Sequence, residues 1–289
     1  MGKYRILTEA TVDLPQSIVE EYGIVVISMD CSMDGKIYMV DPTGKELDPA
    51  YFYEQMRQGS VATTSLINAF TFTEYFEEQF RAGYDVIYFA LTSALTSRVA
   101  ANNAMEELQG KYPERRLIVV DTLCASLGMG LLVYVAAKKQ REGLDMDELV
   151  KWAEENKLKI CHWFTVEDLK YLLRSGRVSA ASAVLGTALN IKPVLRVGES
   201  GALLPFNKVQ GRRRSLKNLV ENMEQTFTPE NNDCIFIGHA DCIEDAEYVK
   251  NLVEERLGIR SFVINYIGPI IGAHSGPGTV ALFHFGTHR

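Results

Sequence analysis

Several groups of polar residues in this 289-residue chain have side chains suited to holding an anion or moving a proton. The run Ile267-Gly-Pro-Ile-Ile-Gly-Ala-His-Ser-Gly-Pro-Gly-Thr-Val280 sets one histidine, His274, among four glycines and two prolines. Glycine tolerates positive φ and lets backbone approach a ligand closely, while Pro277 stiffens the turn. The run therefore predicts a shaped wall around a polar group, with Gly272, Gly276 and Gly278 as its positions of tight turn and close approach. The plainer alternative is a tight turn around a satisfied histidine. Four hydroxyl clusters stand elsewhere: Thr8-Glu-Ala-Thr-Val-Asp13, Thr63-Thr-Ser65, Thr92-Ser-Ala-Leu-Thr96, and Asp121-Thr122 ahead of Ser126-Leu-Gly-Met-Gly130. Hydroxyls and free N–H groups at helix starts suit a carboxylate or phosphate. Each cluster is equally readable as an N-cap.

Basic residues gather at Arg174/Arg177 and at Lys208-Val-Gln-Gly-Arg-Arg-Arg214. Guanidinium forks match carboxylate and phosphate geometry. Arg177, directly after Gly176, is placed to turn inward, whereas part of the triple arginine reads as a solvated face. Other chemistries lack their patterns. No GxGxxG follows the first strand, and no GxxxxGK[ST] or GxSxG occurs. Cys161 and His162 are neighbours on a predicted strand and so face opposite sides. Cys234, His239 and Cys242 lack structural-zinc spacing, which predicts no metal site.

Short apolar strands alternating with amphipathic helices must position these groups. Strands are predicted at Tyr4–Leu7, Ile24–Met29, Asp85–Leu91 and Leu117–Val120. Helices are predicted at Leu14–Tyr22, Pro49–Gln58, Phe72–Arg81, Leu95–Leu108 and Ala125–Lys139, with Thr71 and Glu74 as a capping box. Asp41-Pro-Thr-Gly44 reads as a turn between extended segments. This alternation gives a mostly parallel sheet flanked by helices. Beyond it come strand Lys159–Phe164, helix Val166–Leu173, and a hairpin of Ile191–Val197 and Ala202–Val209 around Gly198-Glu-Ser-Gly201. Helix Leu216–Gln225, strand Cys234–His239, helix Glu244–Leu257 and strands Ser261–Tyr266 and Thr279–Phe285 complete a mixed sheet with helices. The fold class is α/β with two α/β domains, residues 1–155 and 156–289.

Composition sets the outer bounds. With 47% hydrophobic and 23% charged residues the chain is of ordinary globular type. A net charge of −7 opposes whole-surface nucleic-acid binding. Five cysteines without a CxxC pair predict a reducing, cytoplasmic setting. No apolar run approaches the roughly 20 residues of a membrane span, and the N-terminus lacks a signal-peptide pattern.

In order along the chain, these clusters resemble the DegV family of bacterial lipid-binding proteins, most of all the FakB-type subunits that present fatty acids to a separate kinase. The family's opening TDS-like motif and Asp-Leu appear as Thr8-Glu-Ala and Asp13-Leu14. Its Thr-Ser-Gln-Pro-Ser appears as Thr64-Ser-Leu-Ile-Asn68, and its Ser-Ser-x-Leu-Ser-Gly-Thr as Thr92-Ser-Ala-Leu-Thr-Ser-Arg98. Gly176-Arg-Val-Ser179, Ile191-Lys-Pro-Val194 and above all Ile271-Gly-Ala-His-Ser-Gly-Pro-Gly278 match closely. The sequence departs from the pattern at Glu9-Ala10, Leu66-Ile67, Ser97-Arg98 and Gln210.

The resemblance implies a non-catalytic carrier of a long-chain fatty acid, with no other cofactor. Its carboxylate would be held by Ser65, Ser93 and His274 with Thr64 shaping the loop, and Arg177 and Arg212 would serve phosphate binding or presentation. Fatty acid and a separate fatty acid kinase are the implied partners, with transient membrane contact. Burying ~15 methylenes at ~0.8 kcal/mol each supplies on the order of 12 kcal/mol before binding costs, so the tail dominates affinity. Two alternatives stay open at this point: a lipid sensor or sequestering protein without a kinase, and an acyl hydrolase or transferase using Ser65 or Ser93 with His274.

Overall fold

A computed structural model describes residues 3–179 and 190–289. Runs rich in Val, Ile and aromatic residues make the central strands, because such side chains pack well on a pleated surface buried on both sides. The first half places β1 (Tyr4–Glu9), α1 (Gln16–Tyr22), β2 (Val25–Ile27), β3 (Met29–Met33), β4 (Lys36–Val40), α2 (Pro49–Arg57), β5 (Ala62–Thr64) and α3 (Ala69–Arg81) in that order. It continues through β6 (Asp85–Ala90), α4 (Val99–Lys111), β7 (Leu117–Asp121), α5 (Ser126–Arg141) and α6 (Met146–Asn156). Strands β2-β1-β6-β7 form a parallel sheet. A second, antiparallel sheet of order β4-β3-β5 was not foreseen from sequence. Its hairpin turns at Asp34-Gly35, both at positive φ, as a two-residue hairpin loop requires.

The second half holds β8 (Ile160–Thr165), α7 (Lys170–Arg174), β9 (Ile191–Val197), β10 (Leu203–Gln210), α8 (Arg212–Thr226), β11 (Ile235–His239), α9 (Ile243–Leu257), β12 (Phe262–Tyr266), α10 (Pro269–Ser275) and β13 (Val280–Phe285). These strands make a mixed sheet of order β10-β9-β8-β13-β11-β12. The predicted hairpin at Gly198–Gly201 is present, and the last strand, β13, inserts between β8 and β11. The fold class is thus α/β, with a parallel sheet and a mixed sheet flanked by helices.

Helix α5 packs between these two sheets and is buried along nearly its whole first three turns. A helix apolar all round is a buried helix. One core joins Ile6 and Phe89 of the parallel sheet through Leu132 of α5 to Phe236 and Phe283 of the mixed sheet. Each such fully buried side chain contributes about 1.5–3 kcal/mol. Separate cores lie under α3 and α4 and under α8 and α9.

Three local predictions are corrected. The cap of α3 is Asn68, whose Oδ1 accepts the Thr71 N–H at 2.9 Å, so the helix starts earlier than the supposed Thr71–Glu74 box. The reciprocal box occurs instead at Asp145 and Glu148 of α6. Residues 95–98 form turns rather than helix, because Thr92 O accepts the N–H groups of Leu95 and Thr96. The glycine-rich run at 269–275 is helical: Pro269 opens α10 with its φ already set, and Gly276 at φ 80° ends it.

Candidate functional site

The carboxyl ends of β1, β6 and β7 open toward the mixed sheet, the place where open α/β sheets accept ligands. There a largely apolar cleft leaves about 870 Å³ of space free of protein atoms, continuous with solvent. Its walls come from the loops after the parallel strands, from β5, from α10, and from the inner face of β8 and β13.

Helix α10 supplies the polar end. Ile270, Ile271, His274 and Ser275 face the cleft, while Gly272 packs against Tyr53 so closely that a Cβ would sit 2.3 Å from its hydroxyl. That hydroxyl donates to Ile267 O at 2.6 Å and fixes the approach to the helix. Gly276 and Gly278 have positive φ, and their close neighbours are Tyr171 and Glu167. Gly276 and Gly278 sit in turns and Gly272 in close helix contact, and at all three the neighbouring atoms are protein side chains. Strand β5 delivers Thr64 to the same point, where Thr64 Oγ1 and His274 Nε2 lie 2.9 Å apart. His274 Nδ1 and Ser275 Oγ are buried without a hydrogen-bond partner among the described residues. Burial, followed by the charges of Arg177 and Arg174, pushes the His274 pKa down to about 4. The imidazole is neutral at pH 7, and with its proton on Nδ1 it offers a donor that no described residue accepts. Such an orphaned group costs about 1–3 kcal/mol until something satisfies it.

Ser65 lies at the exposed rim of the cleft, held by its N–H to Asp30 O at 3.2 Å. Arg177, after Gly176 at φ 68°, lines the cleft, with Nη1 donating to Ser175 O at 3.3 Å. Two other predicted residues are not brought there. Ser93 is exposed and outside the lining, because its N–H is tied to Asp121 Oδ1 at 3.2 Å and the turn carries the side chain outward. Thr96 of the same loop takes the inward position. Arg212 is committed elsewhere: Nε donates to Asp245 at 2.8 Å and Nη2 to Gly278 O at 2.6 Å. It braces the end of the glycine run and leaves the cleft to Arg177.

The hydroxyl clusters divide their labour. Thr11, Thr64, Ser65, Thr96 and Ser126 reach the cleft, whereas Thr8 bonds backbone of β6 across the sheet and Thr92 and Thr122 bond backbone near their own strand ends. Asp13, buried at φ 53°, accepts from Ser126 Oγ at 2.5 Å and from Gly268 N at 3.0 Å. It thereby joins the starts of α5 and α10, and burial pushes its carboxyl up to about 7. Glu9 accepts the Leu91 N–H at 2.7 Å, and burial likewise raises it to about 7. Arg98, which departs from the family pattern, pairs with Asp121 at 3.6 Å.

The main residue missed from sequence is His162, which lines the apolar part of the cleft. Strand alternation does send Cys161 and Trp163 to the opposite core, under α8. Among the described residues His274 Nε2 meets Thr64, no carboxylate orients Nδ1, and Arg174 and Arg177 oppose imidazolium formation, an arrangement that does not prime His274 as a base for serine. Among the described residues no group of three or more His, Cys, Asp or Glu side chains could hold a metal ion, and no helix is long and apolar enough to cross a membrane.

Comparison with known proteins adds a family and its ligands. The family model described as "Uncharacterised protein, DegV family COG1307" matches residues 3–286. A DegV domain-containing protein of Clostridium perfringens is 42% identical over 287 residues, covering 99% of this chain and 98% of that protein. A lipid-binding DegV protein of Thermotoga maritima superposes with a TM-score of 0.84 at 27% identity, covering 99% of each chain. A DegV family protein of Thermus thermophilus, described by its fatty-acid binding, gives a TM-score of 0.84 at 26% identity over 98% of this chain and 99% of its own.

Proposed function

The chain belongs to the DegV family, and we propose that it binds a long-chain fatty acid in this cleft without itself acting as an enzyme on it. The carboxylate sits at the His274 end, and the tail runs along the inner face of β8 and β13. One observation carries the reading: the cleft is apolar along its length, yet at one end His274 Nδ1 and Ser275 Oγ are buried and unpartnered beside Thr64 and Arg177. A carboxylate accepts from both groups, with the Arg177 guanidinium nearby but not holding it, while the tail needs only apolar wall. The fatty-acid binding of the Thermus thermophilus relative supports the same ligand class. The division into units 1–155 and 156–289, with the ligand between them, and a cytoplasmic location belong to this proposal.

Arg177 serves presentation. Its fork geometry suits an acyl phosphate formed when a separate kinase phosphorylates the carboxylate. Arg177→Ala is expected to keep most fatty-acid affinity and to lose phosphorylation in a reconstituted assay with a kinase. Equal loss of both assigns Arg177 to holding the ligand. Phosphorylation absent even from the unchanged protein assigns the chain to sensing or sequestering lipid.

Native mass spectrometry of protein purified from a bacterial host tests the ligand itself. A stoichiometric long-chain acid is the expected adduct. Binding of short acids or phosphorylated metabolites alone would overturn the reading.

A further inference from the structure

The sheet wall of the cleft divides into levels set by strand register. Thr279, just before β13, lines the polar end and donates to Ser275 O at 3.0 Å. Ala281 pairs with Phe164 at the next level, and Phe283 with His162 at the one after. Carried across β9 and β10, that level includes Val197 and its partner Leu203. These side chains line the cleft, whereas the next pair, Phe285 and Ile160, does not. At ~3.3 Å per residue, the floor at Phe283 lies about 13 Å from Thr279.

His162 is held rigidly in that floor. Its Nε2 accepts the Ala125 N–H at 3.3 Å, so the proton is on Nδ1, which donates to Ile160 O at 3.0 Å. Phe283 meets the ring edge-on, with centroids 5.3 Å apart. Behind the ring stands Gly128 of α5, where a Cβ would fall 2.1 Å from Nε2. With both nitrogens used, the ring has no proton to give a ligand and presents itself to the cleft as a fixed hydrocarbon-like wall. The absence of a side chain at Gly128 sets how far back that wall stands.

We propose that His162, backed by Gly128, is a specificity-determining residue that sets the length of acyl tail the cleft accepts. The proposal rests on the fatty-acid reading above and adds the residue that measures the tail. Delipidated protein is titrated with saturated acids of twelve to twenty carbons. His162→Ala deepens the floor and is expected to move the preferred length upward. Each added buried methylene raises affinity about fourfold, so an acid two carbons beyond the wild-type optimum gains roughly fifteenfold relative to it. Gly128→Ala pushes the ring into the cleft and moves the optimum toward shorter acids. His162→Leu keeps the bulk without the nitrogens and leaves the optimum where it was.

An unchanged optimum in both His162→Ala and Gly128→Ala overturns the proposal, as does a shifted optimum in His162→Leu. Failure of both former variants to fold also overturns it, because the ring is then a core support and not a gauge. A wild-type protein that binds no acid removes the fatty-acid reading itself, and this inference falls with it. Wild-type binding with a fixed optimum removes this inference alone.

Discussion

His162 and His274 face one cleft from its two ends, and their hydrogen bonding differs in kind. His162 is fully buried and gives both nitrogens to backbone partners, Ala125 N and Ile160 O. His274 is half-buried, bonds Thr64 through Nε2 and leaves Nδ1 unpartnered. Both are held neutral, His162 by burial and the charge of Arg289, His274 by burial and the charges of Arg177 and Arg174. Neutrality therefore does not distinguish them; completeness does. A saturated side chain builds a wall, and an unsaturated one leaves a place for a partner. A pKa shift alone would have pointed equally to both.

The largest expected effect breaks the fold side of this contrast. His162→Ala removes a buried ring and strands the Ala125 N–H, and should cost about 3 kcal/mol in urea unfolding without ligand, while His274→Ala should cost less than about 1 kcal/mol. Equal losses would place His274 among the structural residues.

Glu9 separates burial from incompleteness, because it is buried and bonded yet raised to about 7. The folded chain holds this proton to higher pH than the unfolded chain, so stability falls as pH rises from about 4.5 to 7 and then levels off. Glu9→Gln should be more stable than wild type by about 2 kcal/mol at pH 8 and no more stable at pH 5, read by urea unfolding at each pH. A constant difference between variant and wild type would deny the shift.

The ligand side follows. His274→Ala should weaken a long-chain acid by about tenfold to thirtyfold in calorimetric titration, the loss of one hydrogen bond to a charged group. Ser93→Ala should change that affinity by less than about 0.3 kcal/mol, since its side chain points to solvent. A tenfold loss there would move the carboxylate out of the end described here.

Legibility of the sequence followed the range over which each feature is determined. Continuous apolar runs such as Asp85–Ala90 and Ile235–His239 declare themselves, and so does a hairpin whose turn residues are glycines. The β4-β3-β5 sheet was hidden because β5 reaches its partner across some thirty residues and because Met-Asp-Cys-Ser-Met is a weak strand signal. Helix α10 was hidden because a proline and a glycine within seven residues, with a glycine on either side, argue against helix, and Tyr53, distant in sequence, is the reason Gly272 is there. His274, Thr64, Ser65 and Arg177 were drawn together by sequence motifs, and the structure brings all four to the cleft lining. His162 could not be named in this way, since Ala125 and Gly128 define its role from another element. Ser93 was misplaced because hydroxyls that cap loops and hydroxyls that face ligand are the same residue type.

The position of β13 also bears on the order of events during synthesis. As the central strand between β8 and β11, it leaves the ribosome after every strand it must join. Until residues 280–285 emerge, β10-β9-β8 and β11-β12 remain separate ribbons with unpaired inner edges, the kind of edge that recruits foreign strands. Ala281 and Phe283 are part of the cleft wall, so the cleft itself is incomplete until β13 has been inserted. Any ligand the cleft accepts must therefore wait for β13 to join the sheet, and a chain stalled before that strand exposes its unpaired edges to chaperones and proteases.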